Sequence, residues 1–498
     1  MNRQTTSIRQ RDREAGRKRQ HASRTSSVRL GLFPPQHRHG HVRNRALALV
    51  VVLWVVTLAG LLLMSVSQTA SVNYSMAHNE LSSVQARWAA RAGVEQAMAV
   101  LEEDHADVDS PADAWFDTPD LFENVELSTG RFSVAAQPQP GYDPTWPRFG
   151  LVDLCGRLNV NVADEKQLSA LPDIKPEQVA CILDWRSATG LSRPDGAGPG
   201  YYQQLRFPYQ IRSGPLQTLS ELRLIRGIDD LTFFGEDANL NGLLDPNEDD
   251  GNVSYPPDDA NGELKAGLAG LCTVHSYERN IDAAGQPRLN ITATDKKTLV
   301  DRYNFSDGLA TAVLAARPRS LMDLLNVKAS SAQNRPNAGD ANGPDAQSSG
   351  SNQQNQPNQP PGAADPSKLN QITIGWLADH WDELTLSDEP RLPARINVNT
   401  ACRDVLLTLP EMTSETADAI LGRQGSSQGP FLSVGELLKS GTLSEPQFKA
   451  MAEKIAVRSS VFEIRSTGTS PDGIGCTIVA VVDRGGQTMS LLYWWASQ

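Results

Sequence analysis

The chain has 498 residues and a formal net charge of −12 at pH 7, which is enough length for two or three domains. Residues 1–45 carry twelve Lys and Arg against Asp12 and Glu14, so the rest of the chain carries −22. An acidic body of this size repels phosphate, and affinity for DNA depends largely on neutralising phosphates. The charge therefore disfavours nucleic acid as a partner. Five scattered cysteines without CxxC spacing indicate no zinc ribbon.

Residues 46–66 read "ALALVVVLWVVTLAGLLLMSV" and contain no charged side chain. As a helix they span roughly 31 Å, which matches a bilayer core of about 30 Å. We therefore expect a transmembrane helix, with the basic leader in the cytoplasm and the acidic body on the far side. A cleaved signal peptide is the alternative, although such peptides usually have a shorter apolar region followed by a small-residue cleavage site.

Helical periodicity continues after Val66 as far as "AVLEED". This pattern predicts one long helix, whose first half spans the membrane and whose second half is amphipathic. The apolar residues near one drifting face of the second half are Val72, Met76, Leu81, Val84, Trp88, Ala92, Val94 and Met98.

One sequence module occurs three times. "RLNVNVADEKQLSALPDI" at 157–174 recurs as "RINVNTACRDVLLTLPEM" at 395–412, and a weaker copy begins "RLNITATDKKTLV" at 288. A (Ser/Thr)-x-x-(Glu/Asp)-Leu segment follows each copy, at 218–222, 320–324 and 433–437. In these copies, residues that favour helix caps precede leucines spaced three and four residues apart. This pattern predicts compact bundles of short helices.

The Leu-Pro turns of the two strong copies resemble those of DNA-binding helix-hairpin-helix motifs. A phosphate-binding turn needs Gly, because Gly allows backbone N–H groups to approach the anion. Asp173 and Glu411 occupy the turns here and place carboxylates where phosphate would lie. We therefore expect the repeats to serve packing or protein contact, and no nucleic acid to be bound.

Residues 237–248, "DANLNGLLDPNE", fit the calcium-loop pattern D-x-[DN]-x-[DN]-G-x5-E. Alternating oxygen ligands would face one centre, and Gly242 permits the sharp turn. The predicted Ca²⁺ would be structural, and its ligands would be Asp237, Asn239, Asn241, the Leu243 carbonyl, Asp245 and Glu248. The alternative interpretation is a solvated acidic turn that needs no ligand.

Residues 328–367 contain no large apolar side chain, so this segment is predicted to be a disordered insertion. Alternating and β-branched residues at 130–138, 461–468, 476–485 and 489–497 predict strands of one antiparallel sheet. The helical modules would then be inserted between its strands, and Trp494 and Trp495 would pack on the sheet and its edge. No G-x-S-x-G, H-E-x-x-H or P-loop motif is present, so we do not expect an enzyme.

Four stretches resemble the minor pseudopilin K family of the type II secretion system: "RALALVVVLW", "AARAGVEQAM", the segment 184–228 and "RINVNTA". The resemblance implies a single-pass inner-membrane protein with a cytoplasmic amino terminus and a periplasmic carboxyl-terminal domain. It would cap the pseudopilus tip and help to initiate pseudopilus assembly. The implied partners are the minor pseudopilins I and J, the major pseudopilin, the inner-membrane assembly platform and the lipid bilayer.

Two features depart from that family. Prepilin cleavage follows a Gly directly before the apolar helix, whereas here the nearest glycine is Gly40, followed by His41. Cleavage between these residues, a different start site and no cleavage all remain open. The acidic residues that the family has after its Asp-Trp dipeptide, where they are associated with calcium, are replaced here by residues 187–190.

The predicted fold class is α+β: a pilin-like long amino-terminal transmembrane helix packed on an antiparallel sheet, with an inserted α-helical domain of helix-hairpin-helix-like (SAM-like) repeats. The predicted segments are a basic cytoplasmic leader (1–45), a transmembrane helix (46–66), an amphipathic helix with the first strands (67–150), an inserted helical domain with two repeats and the calcium-type loop (151–327), a disordered insertion (328–367), a third repeat (368–457) and the last strands (458–498). Two other functions stay open: an extracytoplasmic nucleic-acid module for DNA uptake, and a structural protein of no secretion system.

Overall fold

A computed structural model describes residues 42–104, 108–136, 147–329, 367–424, 426 and 428–497, with the backbone alone for 42–46. Gly40 and His41, nearly all of the basic leader and residues 330–366 of the predicted insertion lie outside the described residues. The chain divides into two compact units at Tyr74 and Ser75.

The α-helices are α1 Val42–Glu103, α2 Pro119–Phe122, α3 Glu165–Ser169, α4 Pro176–Trp185, α5 Pro199–Gln203, α6 Asp230–Phe234, α7 Leu268–Leu271, α8 Lys296–Tyr303, α9 Asp307–Ala316, α10 Ile374–Asp379, α11 Arg403–Leu406, α12 Ser414–Gln424, α13 Val434–Lys439 and α14 Glu445–Met451. Short 3-10 helices occupy Leu154–Gly156, Leu219–Leu224, Leu321–Asn326, Trp381–Glu383 and Ala452–Lys454.

The strands are β1 Val125–Leu127, β2 Gly130–Val134, β3 Val152–Asp153, β4 Leu158–Asn159, β5 Cys272–Thr273, β6 Tyr277–Arg279, β7 Leu289–Asn290, β8 Leu384–Thr385, β9 Arg391–Pro393, β10 Ile396–Asn397, β11 Ile455–Ala456, β12 Val461–Thr469, β13 Gly475–Asp483 and β14 Ser490–Ala496.

The first unit contains the apolar part of α1. Among the described residues, α1 is the one helix that is long and apolar enough to cross a membrane, and its most apolar 18-residue window has a mean hydropathy of 2.8. The side chains from Leu47 to Tyr74 are exposed. The long helix predicted from the periodicity is therefore present.

In the second unit, the carboxyl-terminal part of α1 packs on a six-stranded antiparallel sheet. The strand order is β1-β2-β12-β13-β14, and β3 also pairs with β12. The sheet therefore joins strands before residue 154 to strands after residue 460, and the helices α3 to α14 lie between them in the chain. Ala90, Val94, Ala97 and Leu101 share a buried core with the sheet residues Phe132 and Ile464.

The predicted apolar face of α1 is wrong in its central part. Leu81, Val84 and Trp88 are exposed, whereas the buried face consists mainly of Ala86, Ala89, Ala90, Val94, Ala97 and Leu101. The reason is steric, because small side chains let the helix approach the sheet backbone closely. Apolar periodicity predicted a face of large residues, whereas the face that packs on the sheet consists mainly of small residues.

Two glycines show how close this approach is. A Cβ atom on Gly468 of β12 would lie 2.1 Å from the carbonyl oxygen of Ala86 and 2.2 Å from the amide nitrogen of Ala90. A Cβ atom on Gly93 of α1 would lie 2.2 Å from Ser466 Oγ. The backbones of α1 and β12 are therefore in direct contact.

Within the described residues, the opposite edge of the sheet is apolar and exposed. Strand β14 pairs with β13, and its residues Leu491, Tyr493, Trp494 and Trp495 are exposed. The two indole rings do not pack as fully as expected, because α1 covers the sheet around β2 and β12 rather than this edge.

The three sequence modules form three structural repeats. Each begins with a two-residue strand at its Arg-x-Asn motif and closes with a parallel partner strand: β4 with β5, β7 with β8, and β10 with β11. We call these units the first repeat (158–273), the middle repeat (289–385) and the last repeat (396–456). Their helices share one large buried core.

An asparagine fixes the same contact in the first and last repeats. Asn161 Nδ2 donates to the Leu216 carbonyl at 2.9 Å, and its Oδ1 accepts from the Leu216 amide at 2.7 Å. Asn399 makes the equivalent pair with Phe431 at 3.0 and 2.9 Å. The side-chain amide therefore substitutes for a strand partner and closes each repeat.

Replacing Gly468 with Val should destabilise the protein, because neither backbone atom facing the new Cβ can move aside without shifting α1. We expect a loss of at least about 2 kcal/mol in the free energy of unfolding, measured by urea denaturation of the full chain in detergent. Gly475→Ala is the matched control on β13, since its nearest neighbouring atom lies 4.0 Å away, and it should change stability by less than about 0.5 kcal/mol. Equal effects of the two substitutions would contradict the close approach of helix and sheet.

Candidate functional site

The predicted calcium loop lies within an acidic excursion between α6 and α7. Its base is closed by backbone pairing: Gly235 bridges Ala266, and the Glu236 amide donates to the Lys265 carbonyl at 2.9 Å. Gly235 takes a φ of 70° at the end of α6, which allows the sharp exit. The chain therefore leaves and returns at one point, and residues 236–265 form a self-contained loop.

Asp237 organises the first half of the motif. It is 6% exposed, and its Oδ1 and Oδ2 accept from the amides of Asn241 at 3.0 Å and Gly242 at 2.9 Å. Gly242 has a φ of 70°, the left-handed conformation that the pattern requires of it. The turn predicted at this glycine is present.

Glu248 joins the two ends of the motif. It is 1% exposed, and its Oε1 and Oε2 accept from the amides of Ala238 at 3.2 Å and Asp245 at 3.1 Å. Burial first, and then the charges of Asp237 and Asp245, raise the pKa of this carboxyl. Burial likewise raises the pKa of Asp237.

The two asparagines of the motif form hydrogen bonds with Asp245. Asn239 Nδ2 and Asn241 Nδ2 donate to Asp245 Oδ2 at 2.7 and 2.9 Å. Their Oδ1 atoms accept from the amides of Asn241 at 2.8 Å and of Leu243 at 2.6 Å. The structure therefore connects all six predicted residues through one network.

This donor set fits a hard cation. Every candidate donor is an oxygen, as Ca²⁺ prefers. In the described part of the chain, Asp237, Asp245 and Glu248 form no ion pair with Lys or Arg. The carboxylates thus repel one another, and the charge of Arg465 offsets this repulsion only in part, at Asp237. The side-chain amides would have to turn to present oxygen, since their nitrogens face Asp245 here.

The turns of the helical hairpins also take the predicted positions. Asp173 and Glu411 have φ values of 55° and 59°, and Asn304 in the middle repeat has 57°. These are the left-handed positions at which a phosphate-binding hairpin carries Gly. A carboxylate at two of the three turns opposes the approach of a phosphate.

The signature segment 184–228 forms core packing. Asp184 is buried and accepts from the Arg193 amide at 2.9 Å and from its guanidinium at 2.8 Å. The rings of Trp185 and Tyr202 meet edge to face at 5.2 Å, and Tyr202 Oη accepts from the Arg226 amide at 3.2 Å. This segment therefore holds the first repeat together.

Sequence reasoning missed a second acidic group. Carboxylate oxygens of Asp104, Asp109 and Asp113 lie within 4.8 Å of one another, beside Arg484. The dense acids after α1 were a signal for this group, but the contact with Arg484 spans 380 residues and leaves no local pattern.

The fold is α+β, with a long amino-terminal helix on an antiparallel sheet. Within it, residues 156–233 match the family model described as type II secretion system (T2SS), protein K. That stretch, which holds the hairpin of the first repeat and the signature segment, therefore carries a protein K domain. The resemblance predicted from the sequence is confirmed over these residues.

Among solved structures, the chain is similar to one chain in the crystal structure of the GspK-GspI-GspJ complex from the type 2 secretion system of enterotoxigenic Escherichia coli. The TM-score is 0.42 and the sequence identity 13%, over 85% of this chain and 99% of that chain. A search of curated proteins found no match.

Proposed function

We propose that the chain is a minor pseudopilin of the type II secretion system that caps the pseudopilus tip and helps to initiate assembly of the fibre. The observation that carries this proposal is the protein K match at 156–233, found in a chain whose α1 is long and apolar enough to cross a membrane. The role is mechanical rather than enzymatic. Residues 46–66 would anchor the chain in the inner membrane, with the folded part in the periplasm.

The exposed face of α1 supports a partner interface. Leu81, Val84 and Trp88 recur at spacings of three and four residues on the helix, and Trp88 is 60% exposed. We call these three residues the α1 stripe. The Arg91 guanidinium lies 5.5 Å from the Trp88 ring, so the stripe ends in a polar rim. Apolar side chains at this spacing suit packing against another helix.

The stripe would contact the helices of minor pseudopilins I and J. The major pseudopilin and the inner-membrane assembly platform are further proposed partners. The bulk of the helical repeats supports the tip position, because a subunit with about 300 residues between two adjacent strands of its sheet is too large to repeat along a thin fibre.

Placing charge on the stripe should abolish partner binding without unfolding the chain. For Val84→Glu together with Trp88→Glu, we expect co-purification with pseudopilins I and J to fall at least tenfold, since two charges would be buried against a helix. The urea midpoint should stay near that of the wild type, because both side chains are exposed.

Ser83→Glu is the control, since it adds charge at an exposed position beside the stripe. Its recovery of pseudopilins I and J should match the wild type. Full recovery by the double variant would contradict the stripe as an interface. Failure of the wild-type chain to recover either pseudopilin would overturn the proposed function itself.

We also propose that the acidic loop holds one structural Ca²⁺. Asp237, Asp245 and Glu248 would supply the charge, and Asn239, Asn241 and the Leu243 carbonyl would supply neutral oxygens. The bound ion would neutralise buried carboxylates. The loop is joined to the rest of the chain at Gly235 and Ala266, so neutralising it stabilises the first repeat.

Calcium at about 1 mM should raise the melting temperature of the full chain by roughly 2–6 °C over a chelator-treated sample. Glu248→Gln should remove this rise, because in the calcium-loop pattern the last residue, here Glu248, binds the ion with both carboxylate oxygens. Glu263→Gln, an exposed acid of the same excursion outside the motif, should retain it. The rise should shrink as the pH falls, since burial raises the pKa of Asp237 and Glu248 and protons then compete with the ion. A melting curve unchanged by chelator would end the proposal.

A further inference from the structure

A group of four carboxylates, two buried and two half-buried, lies where the sheet meets the last repeat. Asp104 follows α1, Asp109 and Asp113 lie in the next segment, and Asp153 ends β3. We call these four residues the carboxylate cluster. Arg484, which follows β13, forms ion pairs with two of them, Asp104 and Asp109.

Asp109 is fully buried and binds the last repeat and the residues directly after it through backbone and side chain. Its amide donates to the Val457 carbonyl at 3.0 Å, and its Oδ2 accepts from the Ser459 amide at 2.6 Å. Asn397 Nδ2 donates to the Asp109 carbonyl at 3.1 Å. Asp109 therefore holds the ends of both β10 and β11.

Asp153 binds the same part of the last repeat from the sheet side. It is 1% exposed, and its Oδ2 accepts from Ser459 Oγ at 2.6 Å, from Asn397 Nδ2 at 3.2 Å and from the Thr400 hydroxyl. The buried carboxylates of Asp109 and Asp153 thus both accept from Ser459, while Asn397 donates to the Asp109 carbonyl and to the Asp153 carboxylate.

Charge is not balanced in this region. Arg484 pairs with Asp104 at 2.7 Å and with Asp109, and its charge also acts on Asp113, whereas Asp153 forms no ion pair within the described residues. Desolvation by burial, reinforced by Asp153 and Asp104, raises the pKa of Asp109 to about 7 despite the opposing charge of Arg484. Burial also raises the pKa of Asp113 to about 6 and raises that of Asp153.

We propose that the carboxylate cluster is a proton-dependent lock between the sheet and the last repeat. A proton held among the four carboxyl groups closes the lock, because it reduces their charge from −4 to −3 beside the single positive charge of Arg484. Loss of that proton adds negative charge that Arg484 does not balance, and repulsion among the closely spaced carboxylates then weakens the joint between the sheet and the last repeat. The joint is therefore firmer in mildly acidic than in alkaline surroundings.

The raised pKa of Asp109 determines whether stability rises or falls with pH. The folded chain holds the proton at a pH at which an unfolded Asp has lost it, so folding takes up a proton between about pH 4 and 7. Stability from the cluster is present at the acidic end of this window and is lost as the pH rises. The neighbouring Cys155, whose pKa burial raises to about 12, stays a thiol throughout. His105 and Asp107 lie outside the described residues.

The test compares Asp109→Asn with the wild-type full chain in detergent by urea unfolding from pH 5 to pH 8. The amide cannot ionise, so the variant should gain on the wild type as the pH rises, with a relative change in the unfolding constant of up to about tenfold per pH unit. His105→Gln and the exposed Asp120→Asn are controls that should follow the wild type. A constant difference between Asp109→Asn and the wild type at every pH would overturn the proposal, as would His105→Gln removing the pH dependence.

A second measurement uses the wild-type chain and therefore tests the proposal even if Asp109→Asn does not fold. The infrared difference spectrum of the wild type between pH 5.5 and 8.5 should show the carbonyl band of a buried carboxylic acid disappearing as the pH rises. Hydrogen exchange corrected for intrinsic rates should increase over the same range in peptides covering 397–400 and 457–460. Absence of the carboxylic acid band at pH 5.5 would contradict the lock.

Discussion

Direct backbone contact between α1 and β12 is the constraint on which the rest of the structure depends. It requires small residues on the helix and Gly468 on the strand, and it leaves the larger apolar residues of α1 facing outward. The same helix is uncharged from Ala46 to Val66. One element therefore supplies the apolar segment, the core of the sheet and the exposed stripe.

The repeats show how a small sheet accommodates a large insertion. In the first repeat, the Arg186 guanidinium donates to the carbonyls of Val160 and Ala163. In the last repeat, Gln424 Nε2 donates to the equivalent carbonyls of Val398 and Ala401, at 2.7 and 3.0 Å. Different side chains thus perform one task, since either presents N–H donors to the two carbonyls. The first and last repeats therefore share a pattern of hydrogen bonds as well as a sequence motif.

Local patterns predicted the long helix, the strands after residue 460, the repeats and the turn at Gly242, because each depends on residues close together in the chain. The buried face of α1 could not be read in this way, since Gly468 decides it from a distant strand. The parallel closures, such as Leu158 with Cys272, and the contact of Arg484 with Asp109 also join distant segments. These contacts arise from packing between distant segments, which produces no periodic pattern in the sequence.

We propose that the apolar part of α1 crosses the inner membrane and leaves the folded part on its outer side. Protease digestion of cells producing the chain tests it most directly. We predict that residues 75–498 are degraded once the outer membrane alone is permeabilised, while a cytoplasmic marker stays intact. Degradation only after the inner membrane is also broken would contradict this account.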